Sequence, residues 1–326
     1  MQYKCKNCGG NVLFDPDSQK MVCAQCSSEN SQDIISGNLE SCPNCGAPLE
    51  ITDKTTSSKC NYCGSYLIFD NHLQNDFLPN LVLPFKISKN KVRDLINENF
   101  GKRIFVPDNF LNYKSLEKIE GVYVPFYLYD YLSHCTLEAV GIKDRSWRQG
   151  DYIVTEHRHY QISRDLDIPF HKVPVDGSKV LDDAKMSLVE PYDYDQLLSF
   201  DTQFLSGFFS DQADFEKGDL ETLAQEKARD FAKIILNRSV SGYTRIVKNR
   251  EEIDCANIDS YYALMPMWIY RYSFMEKEYD IFINGQNGKI IGEIPIDKKK
   301  VFIYFSLFFI VLALIIGLGL SLAGAL

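Results

Sequence analysis

The chain has 326 residues, 45% of them hydrophobic, which is length for two or three domains and enough apolar mass for real cores. Its formal net charge of −9 is the wrong sign for a protein that grips a phosphate backbone by bulk charge. The N-terminus is polar and cysteine-rich with no apolar segment, so no secretory signal is expected there.

Cysteine spacing organises the first elements. Cys5-x-x-Cys8 is followed after fourteen residues by Cys23-x-x-Cys26, and Cys42-x-x-Cys45 is followed after fourteen by Cys60-x-x-Cys63. Each cysteine of the second set lies 37 residues after its counterpart, so the segment is an internal repeat. Two thiolates separated by two residues grip one tetrahedral ion from a tight knuckle, and a second knuckle on a short hairpin completes the ligands. Gly9, Gly46 and Gly64 directly follow three of the knuckles, where glycine lets the backbone turn with positive φ and aim amide groups at sulfur. The expectation is two tandem zinc ribbons, over residues 1–30 and 38–70, with the polar stretch 27–41 as linker. Their ligands are Cys5, Cys8, Cys23 and Cys26, then Cys42, Cys45, Cys60 and Cys63. Four cysteines per site leave no open position, so two structural zinc ions are the expected cofactors. Disulfides would need an oxidising compartment, and a redox Cys-x-x-Cys would occur once, beside a βαβ pattern absent here.

The body, 77–297, reads as α+β with antiparallel sheet. Ser88 can cap a helix with Val92, Leu95 and Ile96 on one face, ending at Gly101. Gly121 to Val140 is aromatic and β-branched, hence strand, with Pro125 expected at a strand entry or edge. Asp219 can cap a long helix whose apolar stripe is Leu220, Leu223, Ala224, Phe231 and Ile235. A second aromatic strand, Tyr261 to Phe274, follows. Pro125 to Tyr131 aligns with Pro266 to Tyr272 at a constant offset, which suggests a duplicated body. Tyr279 to Ile283, the turn Asn284–Gly288, and Lys289 to Ile294 form a hairpin signature.

From Val301 to Leu326 the chain carries no charge at all, a run long enough to span a bilayer as a helix. Lys298, Lys299 and Lys300 precede it, so the positive-inside rule predicts a single-pass, tail-anchored protein of the cell membrane with its N-terminal bulk cytoplasmic. Gly317, Gly319, Ser321, Ala323 and Ala325 are small and spaced for close helix approach. Any further membrane contact would be sought first in the aromatic strands around Pro125 and Pro266.

No phosphate-binding loop, dinucleotide fingerprint, nucleophile elbow or His-Glu-x-x-His helix occurs, and no catalytic residue is expected. His157 and His159 would share one side of a strand, but among Arg158, Arg164 and Asp165 they read as a solvated face. Asp182-Asp183 and Glu251-Glu252 read as surface, and Cys135 and Cys255 as buried thiols. Residues 1–70 carry five lysines against eight acids, a balance of −3 before the charge of any thiolate–zinc centre, so nucleic acid is a poor partner for the ribbons.

Several stretches together resemble one family. They are Cys5-Lys-Asn-Cys8-Gly-Gly, Gly121-Val-Tyr-Val-Pro-Phe-Tyr-Leu-Tyr-Asp130, Val173-Pro-Val-Asp-Gly-Ser178, Glu190-Pro-Tyr-Asp-Tyr194, Phe204-Leu-Ser-Gly-Phe208 and Asn284-Gly-Gln-Asn-Gly-Lys289. The family is that of the large zinc-ribbon proteins of Gram-positive bacteria, labelled transcription-factor-IIB-type, some of which carry the label of the primosomal replication-restart helicase. The resemblance reaches to about Pro295; the chain departs from it in its two complete ribbons, its tail anchor, and Tyr127 where tryptophan is frequent. The helicase label does not fit a chain without an ATP-binding loop. The resemblance implies association with flotillin-like (SPFH-domain) and phage-shock-type envelope-stress proteins. The leading expectation is therefore a non-enzymatic adaptor that recruits protein partners to the bilayer. A membrane-tethered nucleic-acid binder is the alternative.

Overall fold

The computed structural model describes residues 1–36, 41–179 and 183–323. Asp182 and the expected start of the second ribbon at 38 lie outside the described residues, as do the side chains of the small-residue run from Gly317 to Ala325.

Four short strands make the first ribbon: β1 (Gln2–Cys5), β2 (Val12–Asp15), β3 (Lys20–Cys23) and β4 (Gln32–Ile35). β2 and β3 form a hairpin, and β4 returns antiparallel to β1 with Tyr3 opposite Ile34. Residues 32–35, expected within a linker, are thus strand: they satisfy backbone groups that β1 would otherwise leave unpaired. β5 (Thr55–Lys59) and β6 (Tyr66–Ile68) are the hairpin of the second cysteine cluster.

The body follows with β7 (Leu81–Val82), α1 (Lys89–Phe100), α2 (Tyr113–Leu116), β8 (Glu120–Gln149), β9 (Tyr152–Asp176), α3 (Asp183–Val189), β10 (Leu198–Ser199), β11 (Phe209–Asp211) and α4 (Lys217–Arg238). Then come β12 (Arg245–Phe274), β13 (Lys277–Asn284), β14 (Ile290–Gly292) and α5 (Lys298–Ala323). One ten-stranded sheet runs β10-β7-β12-β8-β11-β5-β6, with β9 paired to β8 and β13 and β14 extending from β12. The fold is α+β and the pairing is antiparallel except at two short contacts, β7 with β12 and β11 with β8. Because β5 pairs with β11, the second ribbon is the end of the body's own sheet.

Those parallel contacts reveal an order in the body. Val124 and Met265, each the residue before one of the two aligned prolines, are direct partners across the β8–β12 ladder. Leu81 and Val82 pair with Ala263 and Leu264, while Phe209 and Ser210 pair with Val122 and Tyr123. The same sequence of short strand, helix, long strand and returning strand therefore occurs twice, as β7-α1-β8-β9 and β11-α4-β12-β13. The short strand of each half completes the sheet of the other half. The helix N-caps, Ser88 and Glu216, keep the same spacing from each other as Leu81 and Phe209.

Pro125 and Pro266 both sit inside this sheet, so Pro125 is at neither the strand entry nor the edge expected of it. Each lies where the neighbouring strand changes: β8 leaves β11 after Tyr123 and meets β9 at Phe126, and β12 leaves β7 after Leu264 and meets β13 at Met267. A proline lacks an N–H to donate, so the seam between two neighbours tolerates it. Its carbonyl is still used, by the Gly177 N–H at Pro125 and the Gly285 N–H at Pro266, both at 2.9 Å.

Beyond Tyr131 the sheet continues as a three-stranded arm, β9-β8-β12, with α4 on one face. The 30 residues of β8 span roughly 100 Å at the rise of an extended strand. Along the arm β8 alternates, Ser133, Cys135, Leu137 and Ala139 buried and Leu132, His134 and Glu138 exposed. α4 buries Leu220, Ala224, Ala228, Ala232 and Leu236, while Leu223, Phe231 and Ile235 of the expected stripe stay partly exposed. The three alanines at the centre of this row, spaced four residues apart, let the helix axis lie close to the sheet, and Leu223, Phe231 and Ile235 fall outside the row. The helix is capped at Glu216, not Asp219; the Glu216 N–H donates to Asp219 Oδ2 at 3.2 Å. Three tyrosines of β8 fasten its first turns: Tyr127, Tyr129 and Tyr131 donate their hydroxyls to the carbonyls of Phe215, Lys217 and Glu221 at 2.9, 2.6 and 3.1 Å.

Candidate metal centres and the terminal helix

Each cysteine quartet converges. Sγ of Cys5 lies 3.6 Å from that of Cys26, and Cys8 lies 3.5 Å from Cys23; in the second quartet Cys42–Cys63 and Cys45–Cys60 are 3.6 and 3.8 Å apart. A disulfide needs about 2.05 Å, so none of these pairs is bonded. Four sulfurs at about 2.3 Å from one zinc stand about 3.8 Å from each other, the edge of the tetrahedron, and the observed separations fit. All four sulfurs of each group lie within 4.8 Å of one another.

The backbone builds both sites identically. Cys5, Cys23, Cys42 and Cys60 donate their N–H to the carbonyls of Gly10, Ser28, Ala47 and Ser65, at 2.8 to 2.9 Å. Each also accepts from the residue four further on, at 2.8 to 3.0 Å. That residue has positive φ in every knuckle: 71° at Gly9, 73° at Gly46, 72° at Gly64, and 58° at Ser27, where the sequence lacks a glycine. The last cysteine of each quartet also has a serine two residues on. Ser28 Oγ is 3.0 Å from Cys26 Sγ, and hydrogen bonds from this serine hold the thiol down at about 6. Cys63 is partly desolvated, which opposes ionisation, but contacts from Ser65 and Asn44 bring it to about 5. These are the sulfurs readiest to become thiolate ligands.

The two sites belong to one packed unit. Asn11 Nδ2 donates to Ser65 Oγ at 3.1 Å, Lys4 Nζ to Asn44 Oδ1 at 2.6 Å, and the Ile68 N–H to the Met1 carbonyl at 2.9 Å. The stretch 202–211 closes over both: Phe14 N–H donates to Ser206 O at 2.8 Å, Ser206 Oγ to Val12 O at 2.7 Å, and Ser57 Oγ to Phe208 O at 2.8 Å. Met1, Tyr3, Val12, Phe14 and Met21 share a core with Tyr123, Phe204 and Trp268 of the body.

The other residues singled out from sequence do not gather. His157 is exposed and held by Asp144 at 2.6 Å, and His159 is exposed. Glu251 pairs with Lys248 and Glu252 with Arg250. Cys135 and Cys255 are buried in the arm. Sequence reasoning missed a cleft of about 370 Å³ between the second ribbon and the sheet, where Lys54, Glu120, Asp211, Asp214 and Arg271 meet. Its lysine is already paired with Asp214.

α5 is long and apolar enough over Lys298–Ile316 to cross a membrane, and that stretch is unburied by the rest of the chain. It is fixed to the body at its start. Asp297 Oδ1 accepts from the Lys299 N–H at 2.9 Å, Asp297 N–H donates to Phe105 O at 2.8 Å, and Lys300 Nζ reaches Val106 O at 2.8 Å and the Asp108 carboxylate. Phe105 meets Tyr304 edge-on at 5.7 Å.

Fold and sites together define an α+β protein with two four-cysteine clusters at its head and one apolar helix at its tail. The chain belongs to the same family as YdjG of Bacillus subtilis strain 168, an uncharacterized protein, with which it is 30% identical over 94% of its own length and 93% of that protein's. No protein-family model and no solved structure matches it.

Proposed function

We propose that the protein is a membrane-anchored adaptor, with zinc in both clusters, a cytoplasmic body and an arm that presents a protein-binding tip. The observation that carries this reading is the end of the β8–β9 hairpin. It outruns β12, whose pairing with β8 begins at Ile142, so residues 143–149 and 152–158 form a two-stranded tip. Trp147, Tyr152 and Ile153 are exposed there, Ile153 at 79%. By the register, Trp147 and Tyr152 share one face of the tip and Ile153 lies on the other, and water-exposed apolar side chains on a protrusion are characteristic of protein-recognition surfaces. α5 docks outside the arm, on the stretch Phe105–Asp108, and Phe110 two residues on packs on Tyr270 and Tyr272 near the end of β12. Anchor and tip are thus separated along the sheet. The closed cysteine quartets suit a structural metal. Lys298 and Lys299 support a cytoplasmic body by the positive-inside rule. The family resemblance adds the setting, an envelope-stress response with flotillin-like or phage-shock-type partners.

The test is co-purification from mildly solubilised membranes, comparing the wild-type chain with a Trp147→Ala/Tyr152→Ser/Ile153→Ser variant. Proteins retained by the wild type and lost from the variant support the reading. An unchanged set of proteins removes the tip from it. Salt-sensitive retention of nucleic acid in place of protein overturns it in favour of a tethered nucleic-acid binder.

A further inference from the structure

We infer that the segment from Lys102 to Phe105 is a second membrane contact, lying in the lipid headgroup layer beside the start of α5. This rests on the reading of α5 as a membrane anchor.

The placement follows from the joints just described. The hydrogen bond from Asp297 to the Phe105 carbonyl and those from Lys300 to Val106 and Asp108 hold this segment alongside the first turn of α5. The Phe105 ring lies against Tyr304, one turn further along. Tyr304 is about 9 Å along the axis from Lys298, at 1.5 Å per residue. Lys300 is the last charged residue of α5, and Tyr304 stands about one turn past it, just inside the uncharged run that begins at Val301. Tyr304 therefore falls at the boundary between water and hydrocarbon, where tyrosine is enriched. Whatever packs on Tyr304 is at that boundary too.

The composition of the segment fits the location. Ile104 is 51% exposed and Phe105 37% exposed. Lys102 and Arg103 beside them are exposed as well. Among the described residues Ile104 and the face of Phe105 turned away from Tyr304 stay open to solvent, next to two exposed cations. In an interface the apolar pair enters the acyl boundary and the cations meet anionic headgroups. The strands around Pro125 and Pro266 cannot serve, because Val124, Phe126, Met265 and Met267 are all buried in the core.

The experiment uses the full chain in vesicles of phosphatidylethanolamine and phosphatidylglycerol, with and without bromine atoms on the acyl chains near the glycerol. Ile104→Trp introduces a fluorophore at the proposed contact, Phe308→Trp one inside α5, and Ile258→Trp one at the base of the arm, where the native residue is 65% exposed. The wild-type emission of Trp147 and Trp268 is the background. The expected result is that the Ile104→Trp and Phe308→Trp proteins lose most of their added emission to brominated lipid, while the Ile258→Trp protein keeps it and is quenched by aqueous iodide. Quenching of Phe308→Trp without quenching of Ile104→Trp overturns the second contact and leaves the anchor standing. Absence of quenching at Phe308→Trp overturns the anchor reading, and this inference with it.

Discussion

Trp268 donates its indole N–H to the carbonyl of Ile87 at 2.9 Å, and the arrangement is repeated across the body's two halves. Tyr127, the counterpart of Trp268 in the other long strand, donates its hydroxyl to the carbonyl of Phe215, also at 2.9 Å. Ile87 and Phe215 are counterparts in turn, each standing one residue before a helix N-cap. Each bond ties the long strand of one half to the segment just before the helix of the other.

Removing these donors has unequal consequences. The Trp268 bond is fully buried, so Trp268→Phe takes a donor from a carbonyl that water cannot reach, at a cost of about 1–3 kcal/mol before any cavity is counted. The Tyr127 bond is part-buried, and Tyr127→Phe is expected to cost about 0.5–1.5 kcal/mol. Denaturant titration of the detergent-solubilised chain, followed by circular dichroism, measures both. An equal or reversed ranking would count against the burial argument.

Metal content tests the cysteine clusters. The full chain, purified under reducing conditions, is expected to carry two zinc ions, and a Cys42→Ser/Cys45→Ser variant one. The first cluster keeps its own hairpin and its cover from Ser206 in that variant, so it remains a complete site. Elemental analysis decides; loss of both ions from the variant would show that the two sites bind only together. A fragment ending at residue 70 is a poor substitute, since it lacks the stretch 202–211 that closes over both ribbons.

Alkaline pH should unfasten α4. Burial pushes Tyr127 and Tyr131 up to about 12, and Tyr129 is raised further in the same direction. Unfolded tyrosines ionise near pH 10. Below pH 10 both states keep the protons and the stabilisation is complete. Between about pH 10 and 12 the unfolded chain loses protons that the folded chain retains, so stability falls as pH rises. The expected outcome is a melting temperature constant from pH 8 to about 10 and declining above it, less steeply in Tyr131→Phe. A flat profile to pH 12 would refute the assignment.

Orientation is open to a direct measurement. Protease added outside intact protoplasts should leave the body uncut, and lysis should expose it. Digestion of the body in intact protoplasts would reverse the proposed topology.

The cysteine sites were legible because their chemistry is local: two residues between ligands, a turn with positive φ, and a fixed repeat of 37. The C-terminal hairpin was legible for the same reason, Asn284 accepting from the Gly288 N–H at 2.9 Å across its turn. What escaped was set by partners far away in the chain. Pro125 looks like a strand-entry or edge residue until β11 and β9 are known to meet beside it. Leu223 and Phe231 look like core until an alanine row at Ala224, Ala228 and Ala232 is known to face a sheet. Nothing near residue 57 announces that its hydroxyl will serve the carbonyls of Leu205 and Phe208.

The interchange of β7 and β11 limits how this chain can be divided. Cut between its halves, each piece keeps its helix and long strand but leaves behind the strand that borders it in the sheet. A half-length chain of this pattern would be complete only by borrowing that strand from a second copy, reciprocally, as an intertwined dimer. In the present protein one covalent chain plays both copies, so its two halves reach their native pairing together or not at all.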